Sequence, residues 1–362
     1  MNSSQKISLV IPILLIISLL SAAAAELKYK ASDIPVELLK DAKAVVRKSE
    51  TEVEISGINK MVMRVSYAIT ILNENGIRNS VFTQYYDKFM TVKKIKAELY
   101  DQYGVPIKND ANVEVLDFSA NVGYSLYEDN RVKFFDPKYR TLPFTVEYTY
   151  EVTYNGLFFY PDWTIYNDYN VSVERSNYNI LTPKEFKFRY LEKNIGEKCN
   201  VTEIKNKTKY AWKYENMLAI KDEPFGTPYM EYTPVVYSAP SDFEIGGYKG
   251  NLESWNNFGK WLNLLAEGRN VLDKETDEKI KKLVSGLSDE NDKIKVLYDY
   301  LQNKVRYVLV KEGMGGWQTI EAETVNRVSY GDCKALTNYM KSLLDVVGIK
   351  SYYTLVRAGE SA

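Results

Sequence analysis

The chain has 362 residues, 45% of them hydrophobic, with 47 Lys and Arg against 48 Asp and Glu. That length can bury a core in two domains or slightly more, and the near-neutral balance gives no electrostatic reason to expect nucleic acid. Two cysteines are too few for a disulfide framework, and there is no histidine.

The first 25 residues read as an address. Lys6 supplies a positive start, Ile7 to Leu20 is almost unbroken apolar sequence, and Ser21 to Ala25 offers small residues to a signal peptidase. The run is short for a membrane span, so the expectation is an exported protein, periplasmic or secreted, with no stable span after cleavage. No cysteine near the cleavage region is available for a lipid anchor.

A short helix is expected over 34–44, and residues 26–222 then read as a β-rich domain. Alternation of apolar and polar residues predicts strands at 53–58, 61–72, 80–86, 92–100, 105–107, 132–135, 142–154, 170–175, 186–190, 201–205 and 209–214. Asn, Asp, Gly and Pro punctuate them, the pattern of an antiparallel β-sandwich. The 30 tyrosines, against 13 phenylalanines, suit strands with one wet face. Within this region the loop Leu157 to Trp163 carries Phe158, Tyr160 and Trp163, rings that either plug an open end of the sandwich or present flat faces to a sugar or peptide. Cys199 reads as an idle thiol near a strand end.

Prolines at 224, 228, 234 and 240 predict an extended surface linker over 223–250. Helical spacing then takes over in residues 251–362. Trp255, Phe258, Trp261, Leu262 and Leu265 mark one helix, and Ile280, Leu283 and Val284 a second. A third follows Ser288 as N-cap, with Ile294, Leu297, Tyr298 and Leu301 inward. A strand is expected at 306–310. The glycine-rich turn Gly313-Met314-Gly315-Gly316-Trp317-Gln318 lets backbone approach a ligand at Gly316, places Trp317 as a wall, and allows Gln318 to aim an N–H at an oxyanion. It is not a phosphate cradle, because no Gly-Lys-Ser/Thr follows.

Tyr330-Gly331-Asp332-Cys333-Lys334 opens the last helix, whose apolar residues Leu336, Met340, Leu343, Leu344 and Val347 recur at steps of three and four before Gly348. A cysteine there sits among unpaired first-turn N–H groups at the positive end of the helix dipole, surroundings that favour thiolate and can hold a carbonyl oxygen in acyl transfer. Asp332 is expected to cap the helix and Lys334 to be solvated. The run Tyr352 to Val356 reads as a strand with no sheet to lean on, which predicts a fold continuing beyond residue 362.

These residues carry a family resemblance. The Gly-Asp-Cys-Lys segment with Leu343-Leu344, Val347-Gly348-Ile349 and the run 352–356 resembles the nucleophile segment of the transglutaminase-like superfamily of papain-type cysteine enzymes. The Tyr-rich region before it resembles the β-rich domain of unknown function DUF3857, found ahead of that module in bacterial envelope proteins. The resemblance implies an α+β chain, a β-sandwich-like domain followed by an incomplete transglutaminase-like domain. It implies Cys333 as nucleophile, Gln318 sharing the oxyanion hole, and a His and an Asp on later strands that these residues do not include. Such a chain would attack amide bonds by acyl transfer, hydrolytic or cross-linking, and would be inactive alone. Its substrate would be a protein, peptide or glycan of the cell envelope, with no cofactor and no metal. The other class left open is a non-catalytic envelope protein whose sandwich binds glycan or protein.

Overall fold

The structure, a computed structural model, describes residues 27–107, 114–120 and 127–356. The expected leader, residues 1–25, and the final turn at 357–362 lie outside them. α1 Val36–Leu39 is a single turn, shorter than expected, because β1 Ala44–Gly57 has already begun. β2 Lys60–Ile71 follows through a two-residue turn, and then come β3 Phe82–Tyr86, β4 Met90–Tyr100 and β5 Pro106–Ile107. Next are β6 Leu116–Ser119, β7 Tyr127–Glu128, β8 Arg131–Phe135, β9 Phe144–Asn155 and β10 Trp163–Thr164. β11 Val171–Pro183, β12 Phe188–Lys193, β13 Asn200–Ile204, β14 Lys207–Met217 and β15 Val235–Pro240 complete this half.

Eight strands form one sheet in the order β13-β14-β11-β1-β2-β9-β4-β5, and two three-stranded sheets, β3-β8-β6 and β10-β15-β12, close over it. Period-two alternation puts Met61, Met63, Ile69 and Ile71 of β2 beside Tyr154, Val152, Val146 and Phe144 of β9 on one face. Phe82, Phe135, Trp163 and Val236 from the small sheets seal that face into the main core. The opposite face is more polar, with Lys48 paired to Glu147 at 2.5 Å and the Thr70 and Thr145 hydroxyls 2.7 Å apart. Ile34 and Leu38 pack there against Val45.

The pairing is not purely antiparallel. β1 runs parallel to β11, from Ala44 opposite Val171 to Glu54 opposite Leu181. Alternation fixes the face a residue takes but not the strand it pairs with, so this neighbour across more than a hundred residues was not readable.

The expected linker over 223–250 is largely built into the fold. β15 is the middle strand of its sheet, with Val235 and Val236 fully buried, and β16 Asp242–Ile245 pairs with β17 Tyr248–Asn251 as a hairpin. Pro234 precedes β15 and Pro240 ends it, places where a missing N–H interrupts no ladder.

α2 Trp255–Ala266 is capped by Ser254, which accepts from Asn257 N–H at 3.1 Å. α3 Lys274–Leu283 and α4 Glu290–Lys304 follow. The cap of α4 is Asp289 rather than Ser288, and only Leu297 and Leu301 of its expected inner face are buried, Ile294 and Tyr298 being exposed. The strand expected at 306–310 splits. β18 Arg306–Tyr307 pairs in parallel with β20 Tyr330–Gly331, and β19 Val310–Lys311 with β7. α5 Ala322–Val328 precedes β20, and α6 Cys333–Val346 is the central helix of a second core, where Ala335, Tyr339 and Leu343 pack on Ile280, Leu297 and Val325. Gly348, at φ +78°, ends α6 as expected. Residues 352–356 form no strand, and Tyr352 and Val356 are exposed, for want of a partner among the described residues. No helix among the described residues is long and apolar enough to cross a membrane.

Candidate active site

Cys333 is the first residue of the 14-residue helix α6, and its thiol is free and exposed. The approach to it is tight. Ser329 turns the chain at φ +56°, β20 docks on β18, and a Cβ on Gly331 would lie 2.7 Å from that of Ala335. A glycine is required there for the strand to meet the first turn of α6.

Asp332 is 2% exposed and uses both oxygens. One accepts the Ala335 N–H at 2.9 Å, the N-cap bond expected of it, and the other is paired with the Lys334 ammonium. Lys334 is therefore not solvated, its side chain being only 12% exposed. The pairing leaves the cap with little net charge beside the sulfur.

Gln318 is engaged elsewhere. Its amide nitrogen donates to the Tyr248 hydroxyl at 2.9 Å and to the Leu265 carbonyl at 3.2 Å. Both hydrogens expected to serve an oxyanion are spent tying the 3₁₀ turn Gly313–Gly316 to the C-terminus of α2 and to the β17 hairpin. Trp317 packs against Phe158 and Trp261, with centroids 4.4 and 5.7 Å away. It is partly buried against this core cluster. Gly316 ends the turn with open space where a side chain would stand. The turn is also held from the β-rich half, since Gly313 N–H donates to Asp129 at 2.9 Å.

Two tyrosines face the thiol that the sequence did not single out. Tyr307, on β18 opposite Gly331, has its phenol raised above the ordinary range by burial, then by the neighbouring Cys333 and Asp332. Tyr353 is raised by burial and by the same two groups. Tyr307 was legible only as one more alternating residue, because its proximity to Cys333 depends on a parallel two-residue pairing.

The aromatic loop resolves towards packing. Phe158, Tyr160 and Trp163 are each at most 6% exposed, and only Phe159 projects. Trp163 Nε1 donates to Ser176 at 3.1 Å. Cys199 is free and half-buried, and burial pushes its thiol up to about 11. Among the described residues, no group of three or more His, Cys, Asp or Glu side chains converges as a metal site.

Residues 59–221 match the family model DUF3857, a domain of unknown function with solved structure. Over that stretch the chain is similar to DUF3857. The match covers β2 through β14, while β1, which pairs with both β2 and β11 of that domain, precedes it. No curated protein matches the chain. Among solved structures, one from Parabacteroides distasonis described as a "putative protease" superposes with a TM-score of 0.60 at 16% identity. The likeness covers 84% of this chain but 59% of that one, and at this identity it concerns the fold alone. Legionella pneumophila aminopeptidase A (12% identity, TM-score 0.27, 58% of this chain and 22% of that one) and the Deinococcus radiodurans M1 zinc metallopeptidase (9%, 0.26, 67% and 53%) are too distant to carry an argument.

Proposed function

We propose that the DUF3857 domain is followed, over residues 251–362, by the nucleophile half of a transglutaminase-like cysteine enzyme that acts on amide bonds. The observation that carries this reading is the exposed thiol of Cys333 at the first position of a long helix, beside a cap whose charge is already paired. First-turn N–H groups and the helix dipole at that position favour the negative charge that develops on a carbonyl oxygen bound beside the sulfur. The likeness of fold to a structure described as a "putative protease" supports a peptidase-like direction.

In this reading the Cys333 sulfur attacks the carbonyl carbon, its proton passes to a base, and the leaving amine takes a proton as the thioester forms. Water or a second amine then takes the acyl group. The chain has no histidine, so an imidazole base would come from outside these 362 residues. The Cys333 N–H is one oxyanion donor. Gln318 would serve as the second donor by releasing Tyr248 or Leu265, and the Tyr307 hydroxyl, bound to Cys333 in this structure, stands beside the sulfur as another. Export through residues 1–25 and an envelope protein or peptide as substrate belong to the same proposal.

Timed alkylation tests it. Cys333 should react with iodoacetamide at pH 7 on the order of tenfold faster than glutathione, as an exposed nucleophilic thiol does. A rate no faster than glutathione, in a protein that retains its cooperative unfolding, would sink the nucleophile.

A further inference from the structure

The two small sheets leave part of the large one open along a cleft of 420 Å³. Val81, Phe82 and Thr83, at the start of β3, form one wall, and Asp162, Trp163 and Thr164, around β10, form the other. Among the described residues each of these strands stands at the end of its sheet, β3 paired only with β8 and β10 only with β15. The cleft therefore lies between two strand edges, and an edge carries backbone donors and acceptors that its own sheet leaves unpaired.

The floor is more polar than the rest of the sealed face, with Ser49 and Thr51 of β1 beside Tyr67 and Val65 of β2. Burial keeps the Tyr67 and Tyr150 phenols neutral by holding them above their ordinary range. The Asn79 Oδ1 is buried with no hydrogen-bond partner among the described residues, although its Nδ2 is bound to Asp168 at 3.0 Å. Leaving such an acceptor unmet costs about 1–3 kcal/mol, so it points to something that donates to it. Formal charge is muted. Arg78 is bound to both Asp168 oxygens at 3.0 and 2.9 Å, and Asp162 accepts the Ser238 N–H at 3.1 Å. A sugar would want a free aromatic face, but Trp163 and Tyr178 stack on each other at 10°.

We propose that this cleft binds an extended, uncharged peptide segment of another protein as an added strand on the free edge of β3. Backbone pairing to the edge provides affinity, and the polar floor reads alternate side chains. The cleft shares no residue with the Cys333 site and its occupancy does not depend on the acyl-transfer reading.

A random heptapeptide phage library panned on the full chain, with enriched sequences remade as free fluorescent peptides, tests this. A selected peptide should bind the wild type and the Cys333→Ala variant alike, and should slow amide hydrogen exchange across residues 82–86. Thr51→Trp, which fills the floor, should weaken binding by about tenfold or more. Ser49→Leu serves the same purpose should Thr51→Trp lose its cooperative unfolding, and the exchange measurement on the wild type decides by itself should neither fold. No enriched peptide, unchanged affinity in a folded floor variant, or no slowing at 82–86 overturns the proposal. So does protection of β3 by cello-, malto- or chito-oligosaccharides in place of peptide, which would make the cleft a sugar site.

Discussion

Trp317 and Phe158 join the two halves of this chain ring to ring, with centroids 4.4 Å apart. Phe158 comes from the loop after β9, and Trp317 from the turn that precedes the cysteine helix. Phe243 and Trp261 complete the cluster, 5.0 and 5.1 Å from Phe158. Removing Phe158 as Phe158→Ala should cost about 3–5 kcal/mol of stability. Urea unfolding followed by tryptophan fluorescence checks this, and a loss below about 1 kcal/mol would show that the junction bears little of the fold's stability.

Asp332 supports both the first turn of α6 and the Lys334 ammonium. Asp332→Ala removes the N-cap and strands a mostly buried cation, a loss on the order of 3 kcal/mol. Asp332→Asn keeps an oxygen for the Ala335 N–H and should lose less. Thermal and urea denaturation of the pair separates the cap from the charge.

The two thiols should answer pH differently. Burial pushes Cys199 to about 11, so its thiolate is scarce at neutral pH and its labelling should climb only as pH rises towards that value. Cys333 is exposed and should be the thiol alkylated at pH 7. Mass spectrometry of peptides after iodoacetamide pulses from pH 6 to 10 reads both sites. Labelling of Cys199 ahead of Cys333 at pH 7 would contradict the structure.

Acid should loosen the β-rich half through Asp168. Burial alone would raise this carboxyl, but hydrogen bonds from Lys43, Asn79 and Arg78 outweigh it and bring it to about 2. A folded value below the unfolded one means stability that is present above the unfolded value and lost as pH falls through the folded one. The loss should run from about pH 4 to pH 2 and amount to roughly 1–2 kcal/mol. Asp168→Asn should flatten the urea midpoint over that window.

How much of this was legible follows from what sequence patterns encode. The β-rich first half, the cysteine helix and its Asp332 cap and Gly348 stop were readable, because alternation, three-four spacing and capping chemistry are local. The parallel β1–β11 neighbours, the absorption of Val235 and Val236 into a sheet, and the contact of Tyr307 with Cys333 are long-range pairings. No local pattern carries them. The partners of Gln318 were hidden for the same reason: a glutamine after a glycine-rich turn offers N–H groups, but Tyr248 and Leu265 lie some 50 to 70 residues back in the chain.

Tyr307 and Gln318 can be told apart at the thiol. The Gln318 amide bridges two elements, so Gln318→Ala should lower stability by about 1–3 kcal/mol through the buried partners it leaves unmet. It should leave the rate of Cys333 alkylation at pH 7 where it was. The Tyr307 phenol lies beside Cys333 and bonds to it. Tyr307→Phe keeps the ring and removes the hydroxyl, and should change that rate while barely moving the urea midpoint, since the ring is 58% exposed. A rate that changes with Gln318→Ala and not with Tyr307→Phe would give the oxyanion role to the glutamine.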